Sequence, residues 1–374
     1  MALQLRLFIT NPEIDLEAYV VVDSLVEGYA MGGTRMTTTV NVDEVAHLAH
    51  NMSLKLALAD LPIGGAKAGI RCGLPIGAER DRVIADFGQA IAPLLHGGIY
   101  LGVDQGISFR DRDNFLRAGR FKMNEQQKIA HLPCTWSDLW THCSDITGFG
   151  ICEGFDATSD VLRLSNYRTA VIQGFGAVGR GVALGLERRG FHIVAVADRD
   201  GTIVDDNGLP VQALINATDS TGTIDRTALP PGLHYRNEPE SWLQIDADVL
   251  ILAAVGDAIH AGNVDRVRTQ IVIEGGNFAC SKPAHRLLTE KKIPVLPAIV
   301  VNAGGAILTG LIWSNMTPKD LGITDFVSWL YAEVSARIRH NMHVILDRSI
   351  LDPRPLSDIA EALAFEKLQK LPQQ

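Results

Sequence analysis

Three ionisable residues in the first third of the chain stand where chemistry on a small charged substrate could occur. Lys55 shares one face of a helical stretch with Met52, Leu56 and Ala59, so a positive charge lies on or beside a stripe built for burial. A buried charge is costly unless paired. Lys55 is therefore expected to meet a partner or a ligand carboxylate, the alternative being an amphipathic lysine reaching water along its own stem. Lys67 stands in Leu61-Pro62-Ile63-Gly64-Gly65-Ala66-Lys67-Ala68-Gly69, where small neighbours let backbone and ligand approach the ammonium. A lysine desolvated in this way beside another cation has a lowered pKa and can serve as a base near neutrality. Asp104 sits between Gly102 and Gly106 after a β-type run, a setting that by itself reads as a turn.

A second group lies further on. Gly174, Phe175, Gly176, Ala177, Val178 and Gly179 follow an apolar strand and open a helix. The first glycine permits a tight turn, the second a close approach of backbone to a pyrophosphate, and the third close helix–strand packing. Helix N-terminal N–H groups then hold the phosphates. The next strand ends at Asp198, a carboxylate suited to the adenosine ribose hydroxyls, and Ala254, near the end of a later apolar run, is assigned to the same cofactor site. A carboxylate repels a 2′-phosphate, which favours NAD. Arg199 offsets that repulsion, and NADP stays open.

The elements that must position these groups can be read from the same sequence. Asn41 with Glu44 forms an N-terminal capping box for a helix from Asn41 to Asp60, whose buried face is Val45, Leu48, Ala49, Met52 and Leu56. From Asn166 strands and helices alternate. The runs from Asp248 to Val255, Ile271 to Gly276 and Pro294 to Val301 are apolar throughout, as parallel strands covered on both faces require. The fold class is α/β: an N-terminal α/β substrate domain and a doubly wound Rossmann-type domain. The expected division is 1–146 for substrate and oligomerisation, 147–315 for the dinucleotide, and 316–374 as helices packing back on the first domain.

The chain has 374 residues, more than one ordinary core supports. Its 34 basic and 43 acidic residues give a net charge of -9 with no basic stripe, which argues against nucleic-acid binding. No apolar run reaches membrane-spanning length and the N-terminus is not of signal-peptide type. The five cysteines form no CxxC pair, which fits a reducing cytoplasm. His131, Cys134, His142 and Cys143 match no standard zinc spacing, and no metal is expected.

Several ordered motifs resemble the glutamate/leucine/phenylalanine/valine dehydrogenase family. They are Gly32-Gly33-Thr34-Arg35-Met36, Met52-Ser53-Leu54-Lys55, Gly64-Gly65-Ala66-Lys67 and Asp104-Gln105-Gly106, then Thr147-Gly148-Phe149-Gly150, Gln173-Gly174-Phe175-Gly176, Glu274-Gly275-Gly276-Asn277 and Asn302-Ala303-Gly304-Gly305. The resemblance covers roughly residues 15 to 315. It implies reversible NAD(P)-dependent oxidative deamination of an L-amino acid to its 2-oxo acid and ammonia, in a cleft between the domains of a homo-oligomer. It implies that Lys55 binds the substrate α-carboxylate, that Lys67 activates the water attacking the iminium carbon, and that Asp104 shuttles protons to and from the amino group. Thr147 and Asn302 match positions at the nicotinamide, and Asn277 one between nicotinamide and substrate.

Substrate choice falls to Met31, Gly32, Met52, Ala306 and Thr309. The glutamate-specific members carry a lysine where this chain has Met31, so an apolar or modestly polar side chain is expected. The segment His131 to His142, with Trp136 and Trp140, replaces a small-residue run of the leucine-type members, and it is a second expected influence on substrate. Arg110 is read as a solvated surface residue. The competing readings are a dinucleotide-binding paralogue without turnover, which would have no use for Lys55, Lys67 and Asp104 together, and a 2-hydroxy-acid dehydrogenase, for which no His-Arg-acid set is evident.

Overall fold

The computed structural model describes residues 5–123, 126, 129–254 and 256–371. It divides the chain into two units: 1–142 with 306–328 and 364–374, and 143–305 with 329–363.

The first unit is built on a five-stranded sheet in the order β1-β2-β4-β3-β5. The strands are β1 (Leu5–Asn11), β2 (Leu16–Val22), β3 (Ala30–Thr37), β4 (Gly64–Arg71) and β5 (Ile99–Val103). β1, β2 and β4 run antiparallel, whereas β3 is parallel to both β4 and β5. The helix α1 (Val42–Leu58) covers one face. Its N-cap is Asn41, whose side chain accepts from the N–H groups of Asp43 and Glu44. The expected capping box forms by this half, while the Glu44 carboxylate accepts from Arg35 at 2.7 Å. Gly65 is what lets α1 lie so close, since a Cβ there would stand 2.2 Å from the Ser53 nitrogen. Under the helix, Tyr19, Val21, Val40, Val45, Ala46 and Ala49 make a buried cluster. The remaining helices of this part of the chain are α2 (Ala78–Ala90), α3 (Ala92–His96), α4 (Phe109–Ala118) and α5 (Trp136–His142).

The second unit holds a seven-stranded sheet in the order β12-β11-β10-β6-β7-β8-β9. The strands β6 (Thr169–Gln173), β7 (His192–Asp198), β10 (Val249–Leu252), β11 (Ile271–Glu274) and β12 (Val295–Leu296) are parallel. β8 (Gly201–Val204) and β9 (His234–Arg236) extend one edge antiparallel. Strands of uniform apolar character occupy the middle, as both covered faces demand. The run from Pro294 to Val301 is not the single strand expected. Pro297, which has no N–H to give a ladder, ends β12 after two residues and starts the helical turn α10 (Ala298–Val301). The helices α6 (Ile146–Leu162), α7 (Ala177–Glu187), α8 (Val211–Asn216) and α9 (Lys282–Glu290) complete the layers.

The C-terminal helices depart from the expected single block. They are α11 (Gly304–Trp313), α12 (Ile323–Ser349) and α13 (Leu356–Leu368), and residues 329–363 pack with the second unit. The reason is the face that α12 presents to α6. Tyr331 packs edge-on to Phe149 at 4.9 Å, and Ser335 hydrogen-bonds Glu153 at 2.5 Å. Arg339 pairs with Asp160 at 2.8 Å, and Ile338 fills the space left by Gly150 and Gly154. Residues 306–328 and 364–374 belong to the first unit, where Lys367 donates to the Leu58 carbonyl at 2.9 Å and pairs with Asp60 at 2.8 Å. Among the described residues, no helix is long and apolar enough to cross a membrane.

Candidate active site

Strand register determines which side chains of the first unit share a surface. Met31 pairs across with Gly65 on one side and Tyr100 on the other, and Val21 pairs with Lys67. Side chains alternate along strands, so Met31, Gly33, Arg35, Gly65, Lys67, Tyr100, Gly102 and Asp104 all face α1. Gly33 and Gly102, opposite each other, leave a bare strip of backbone between Lys67 and the neighbouring strands. Lys67 and Asp104 meet across this strip at 2.9 Å.

Lys55 lies within α1 above the same face and is 4% exposed, which rules out the solvent-reaching alternative. Lys67 is 5% exposed. Arg35 is a participant that motif reading did not single out. It donates through Nε to Asp104 at 3.3 Å and through Nη1 to Glu44 at 2.7 Å, linking the carboxylate to the first turn of α1. Against Lys67 the structure has a carboxylate, with Arg35 on it. Burial alone would push the Asp104 pKa up. The Lys67 and Arg35 charges, a hydrogen bond from Lys67 and another from the Gln105 backbone outweigh it and hold the carboxyl well below the usual range. Asp104 is thus ionised across the neutral range.

The expected side-chain pocket residues fall on the same unit. Met31 is buried and Met52 half-buried. Ala306 (half-buried) and Thr309 (buried) share a face of α11 with Trp313, which stacks on Tyr100 at 4.6 Å. Gly32 is pressed against the Ala66 carbonyl, its missing Cβ falling 1.7 Å from that oxygen, so it serves strand packing. In the aromatic segment, Trp136 is buried in the core, edge-on to Tyr100 and to Trp140. Arg110 makes an exposed pair with Asp81 at 2.6 Å.

The second unit carries the glycine turn expected to cradle phosphates. Gly174 has φ +92°, a conformation L side chains avoid, and a Cβ there would stand 2.6 Å from the Ala254 nitrogen. Nothing lies within 4 Å of where a Gly176 Cβ would be, and Gly176 caps α7 without a side-chain hydrogen bond. A Cβ at Gly179 would hit the Gly174 carbonyl at 2.0 Å. Tight turn, open space and close packing are the three conditions a bound dinucleotide sets, and this turn meets them. Phe175 is buried beneath the turn, while Ala177 and Val178 form the first helical residues. Around it, Asn302 donates to the Gly275 carbonyl, and the backbone of Thr147 packs against Gly304. Asn277 lies half-buried three residues after the end of β11.

Asp198 stands at the end of β7 as expected, but its oxygens are occupied. Arg226 donates to both of them, and the backbone N–H groups of Ile224 and Asp200 add bonds at 2.8 and 2.9 Å. Burial would raise its pKa, yet these donors hold it low. Arg226 opens a single 3-10 turn, Arg226–Ala228, with no motif around it, so sequence offered no signal for it.

Glu274, Cys280 and His285 bring ligand-type atoms within 4.8 Å of one another. Glu274, however, accepts from the backbone of Cys280 at 2.9 Å and of Ala298 at 3.2 Å, and faces His285 at 3.3 Å. Burial, with Glu274 nearby, pushes the Cys280 thiol well up. Burial would lower the His285 pKa, but Glu274 raises it on balance. The group is a hydrogen-bond knot fixing the chain that leads from Glu274 to Asn277.

A glycine turn of dinucleotide-binding form lies in one unit and a buried lysine–aspartate pair in the other. Residues 141–371 match the model of the Glutamate/Leucine/Phenylalanine/Valine dehydrogenase family, and residues 10–102 its Glu/Leu/Phe/Val dehydrogenase, dimerisation domain. The chain belongs to this family of amino-acid dehydrogenases. It is 32% identical to glutamate dehydrogenase of Thermotoga maritima, over 79% of this chain and 71% of that protein. With the NADP-specific glutamate dehydrogenase of Saccharolobus shibatae it shares 29% identity over 76% and 67%. The crystal structure of the hetero-hexameric glutamate dehydrogenase of Thermus thermophilus, Leu-bound form, superposes with a TM-score of 0.80 at 26% identity, covering 100% of this chain and 89% of that one. L-tryptophan dehydrogenase of Nostoc punctiforme shares the fold, with a TM-score of 0.64 at 19% identity over 98% and 95%.

Proposed function

We propose that the protein catalyses the reversible NAD(P)-dependent oxidative deamination of an L-amino acid with an apolar or modestly polar side chain. The observation that carries this reading is the buried Lys67–Asp104 contact at 2.9 Å, on the same sheet face as Met31, in a chain of this family. Lys55 holds the substrate α-carboxylate, a role its near-complete burial supports, since a desolvated ammonium gains most from an ionic ligand. Asp104, already ionised, accepts the proton that the substrate amino group must lose. Once Asp104 has passed that proton to solvent, transfer of the Lys67 ammonium proton to the regenerated carboxylate across the 2.9 Å contact frees the Lys67 amine to take a proton from the water that attacks the iminium carbon. The bare backbone over Gly33 and Gly102 leaves room for the reacting atoms beside both groups.

The dinucleotide, when bound, supplies the acceptor or donor of the hydride. The residues read as holding it are Gly174 to Gly179 at the phosphates, Asp198 with Arg226 at the adenosine ribose, and Thr147, Ala254, Asn277 and Asn302 towards the nicotinamide. NAD remains the first choice. Arg226 neutralising Asp198, and NADP-specific relatives, support use of NADP as well. The dimerisation-domain match supports an oligomer of this chain, and the Thermus protein's hetero-hexameric state makes a mixed assembly the alternative.

Met31 in place of a cation favours an uncharged side chain. The test is oxidation of NADH and NADPH with ammonia and a panel of 2-oxo acids. Turnover with apolar 2-oxo acids exceeding that with 2-oxoglutarate is expected. Tight dinucleotide binding without turnover of any member would defeat the reading.

A further inference from the structure

We propose that Tyr100 forms the end wall of the substrate side-chain pocket and selects a large aryl-bearing side chain, with Trp136 acting on selectivity only through it. This rests on the amino-acid reading above and deepens it. Tyr100 is the β5 neighbour of Met31 and precedes Gly102 and Asp104 on the same face. Its ring leans along the strand towards the catalytic end. An atom placed where a side chain at Gly102 would stand lies 3.4 Å from both Tyr100 Cε1 and Oη, ordinary contact distance. Whatever fills the space above Gly102 therefore rests on the phenol.

The phenol cannot swing away. Trp313 stacks on it at 4.6 Å with an interplanar angle of 24°, and Trp136 meets it edge-on at 5.9 Å. Trp136 Nε1 donates to Tyr100 Oη at 3.1 Å, so the oxygen is fixed in position and one of its lone pairs is used. Burial keeps the hydroxyl protonated, although the Arg112 charge beside it opposes this. The wall is rigid, aromatic and neutral. Thr309 and Ala306, one and two turns before Trp313 on α11, supply small side chains on the same side.

Met31, Tyr100, Gly102, Ala306 and Thr309 include no cation, so a side-chain carboxylate entering here would be desolvated with only neutral hydroxyls to meet it. A flat apolar group instead gains area and edge-to-face contact against a fixed ring. Trp136, buried against Tyr100, acts on the pocket through the phenol it orients.

The experiment compares wild type, Tyr100→Leu, Tyr100→Phe, Trp136→Phe and the Tyr100→Phe/Trp136→Phe double variant, each checked for near-ultraviolet circular dichroism and NADH affinity. The readout is the ratio of kcat/KM for phenylpyruvate to that for 2-oxobutyrate. Tyr100→Leu should lower the ratio at least tenfold, chiefly through the KM for phenylpyruvate. Tyr100→Phe and Trp136→Phe should each lower it a few-fold. The double variant should match Tyr100→Phe alone, because the tryptophan N–H has lost its acceptor. An unchanged ratio, an equal fall for both acids through kcat, or additive effects in the double variant would each overturn the proposal. If wild type turns over no 2-oxo acid, the amino-acid reading fails first. Calorimetric titration of 3-phenylpropionate then decides separately: weaker binding to Tyr100→Leu supports the wall, and equal or absent binding removes it.

Discussion

The two units prepare for their ligands in opposite ways. The sheet face of the first unit concentrates charge in a place hostile to it: Lys55 and Lys67 are almost fully buried, and Asp104 and Arg35 are mostly so. The turn from Gly174 to Gly179 achieves its fit by omission, through a glycine at φ +92°, an open position and a helix–strand contact only a hydrogen can occupy. Desolvated charge is reactive, and it depends on each neighbour and on pH. A backbone cradle is neutral, indifferent to pH and sensitive to volume alone. The two kinds of site should therefore fail differently under substitution.

The sharpest contrast comes from removing the central amine. Lys67→Ala should reduce kcat about a thousandfold, within the range of 10²–10⁴ for a lost general base. NADH affinity, followed by fluorescence titration, should stay within about twofold of wild type. A variant retaining a tenth of the activity would show that the charge is structural. The reciprocal change is Gly174→Val. A side chain at φ +92° is strained by about 1–3 kcal/mol, and it would also collide with Ala254. NADH affinity should fall up to about a hundredfold. Undiminished affinity would mean that the turn does not carry the phosphates.

Arg226→Ala probes the charged pair that Arg226 makes with Asp198 in the second unit. Both Asp198 oxygens lose their charged partner and keep only the backbone donors of Ile224 and Asp200, so repulsion of a 2′-phosphate returns and ribose hydroxyls find a stronger acceptor. The ratio of NADP to NAD dissociation constants should rise roughly tenfold, about 1.4 kcal/mol. A ratio that is unchanged or falls would separate Asp198 from cofactor choice.

What could be read from sequence follows the same division. The glycine spacing was legible because each glycine answers a local steric condition, and the apolar strands because both faces are covered. Lys55 stood out only as a charge on an apolar stripe, and Lys67 as a charge among small residues. Their roles came from resemblance, since spacing alone does not place two strands side by side. Arg35 could have been suspected from its parity with Met31 on an alternating strand. Its two partners are 9 and 69 residues away, and only the folded sheet assembles them. Arg226 had no local signature. The tryptophan segment was expected to influence substrate choice, but its spacing did not show that Trp136 lies in the core against Tyr100. The return path of α12 was missed because an amphipathic helix shows that it packs, not on what.

The smallest expected effect tests the charged site where the cradle has no counterpart, in its response to pH. Asp104 has a folded-state pKa held below its unfolded value of about 3.9, chiefly by Lys67 and Arg35 against the effect of burial. Its stabilising contribution is fully present above the unfolded pKa and is lost as pH falls through the folded one. Arg35→Met removes one of the two cations and lets the folded pKa rise. The acid-unfolding midpoint and the acid limb of kcat/KM should then both move to higher pH, while Arg35→Lys, which keeps the charge without the fork to Glu44, should move them less. NADH binding to the same variants should keep its wild-type pH dependence. If the acid limb stays put, Arg35 does not tune Asp104 and serves only to tie β3 to α1. A shift in dinucleotide binding would show that the two sites are not electrostatically separate.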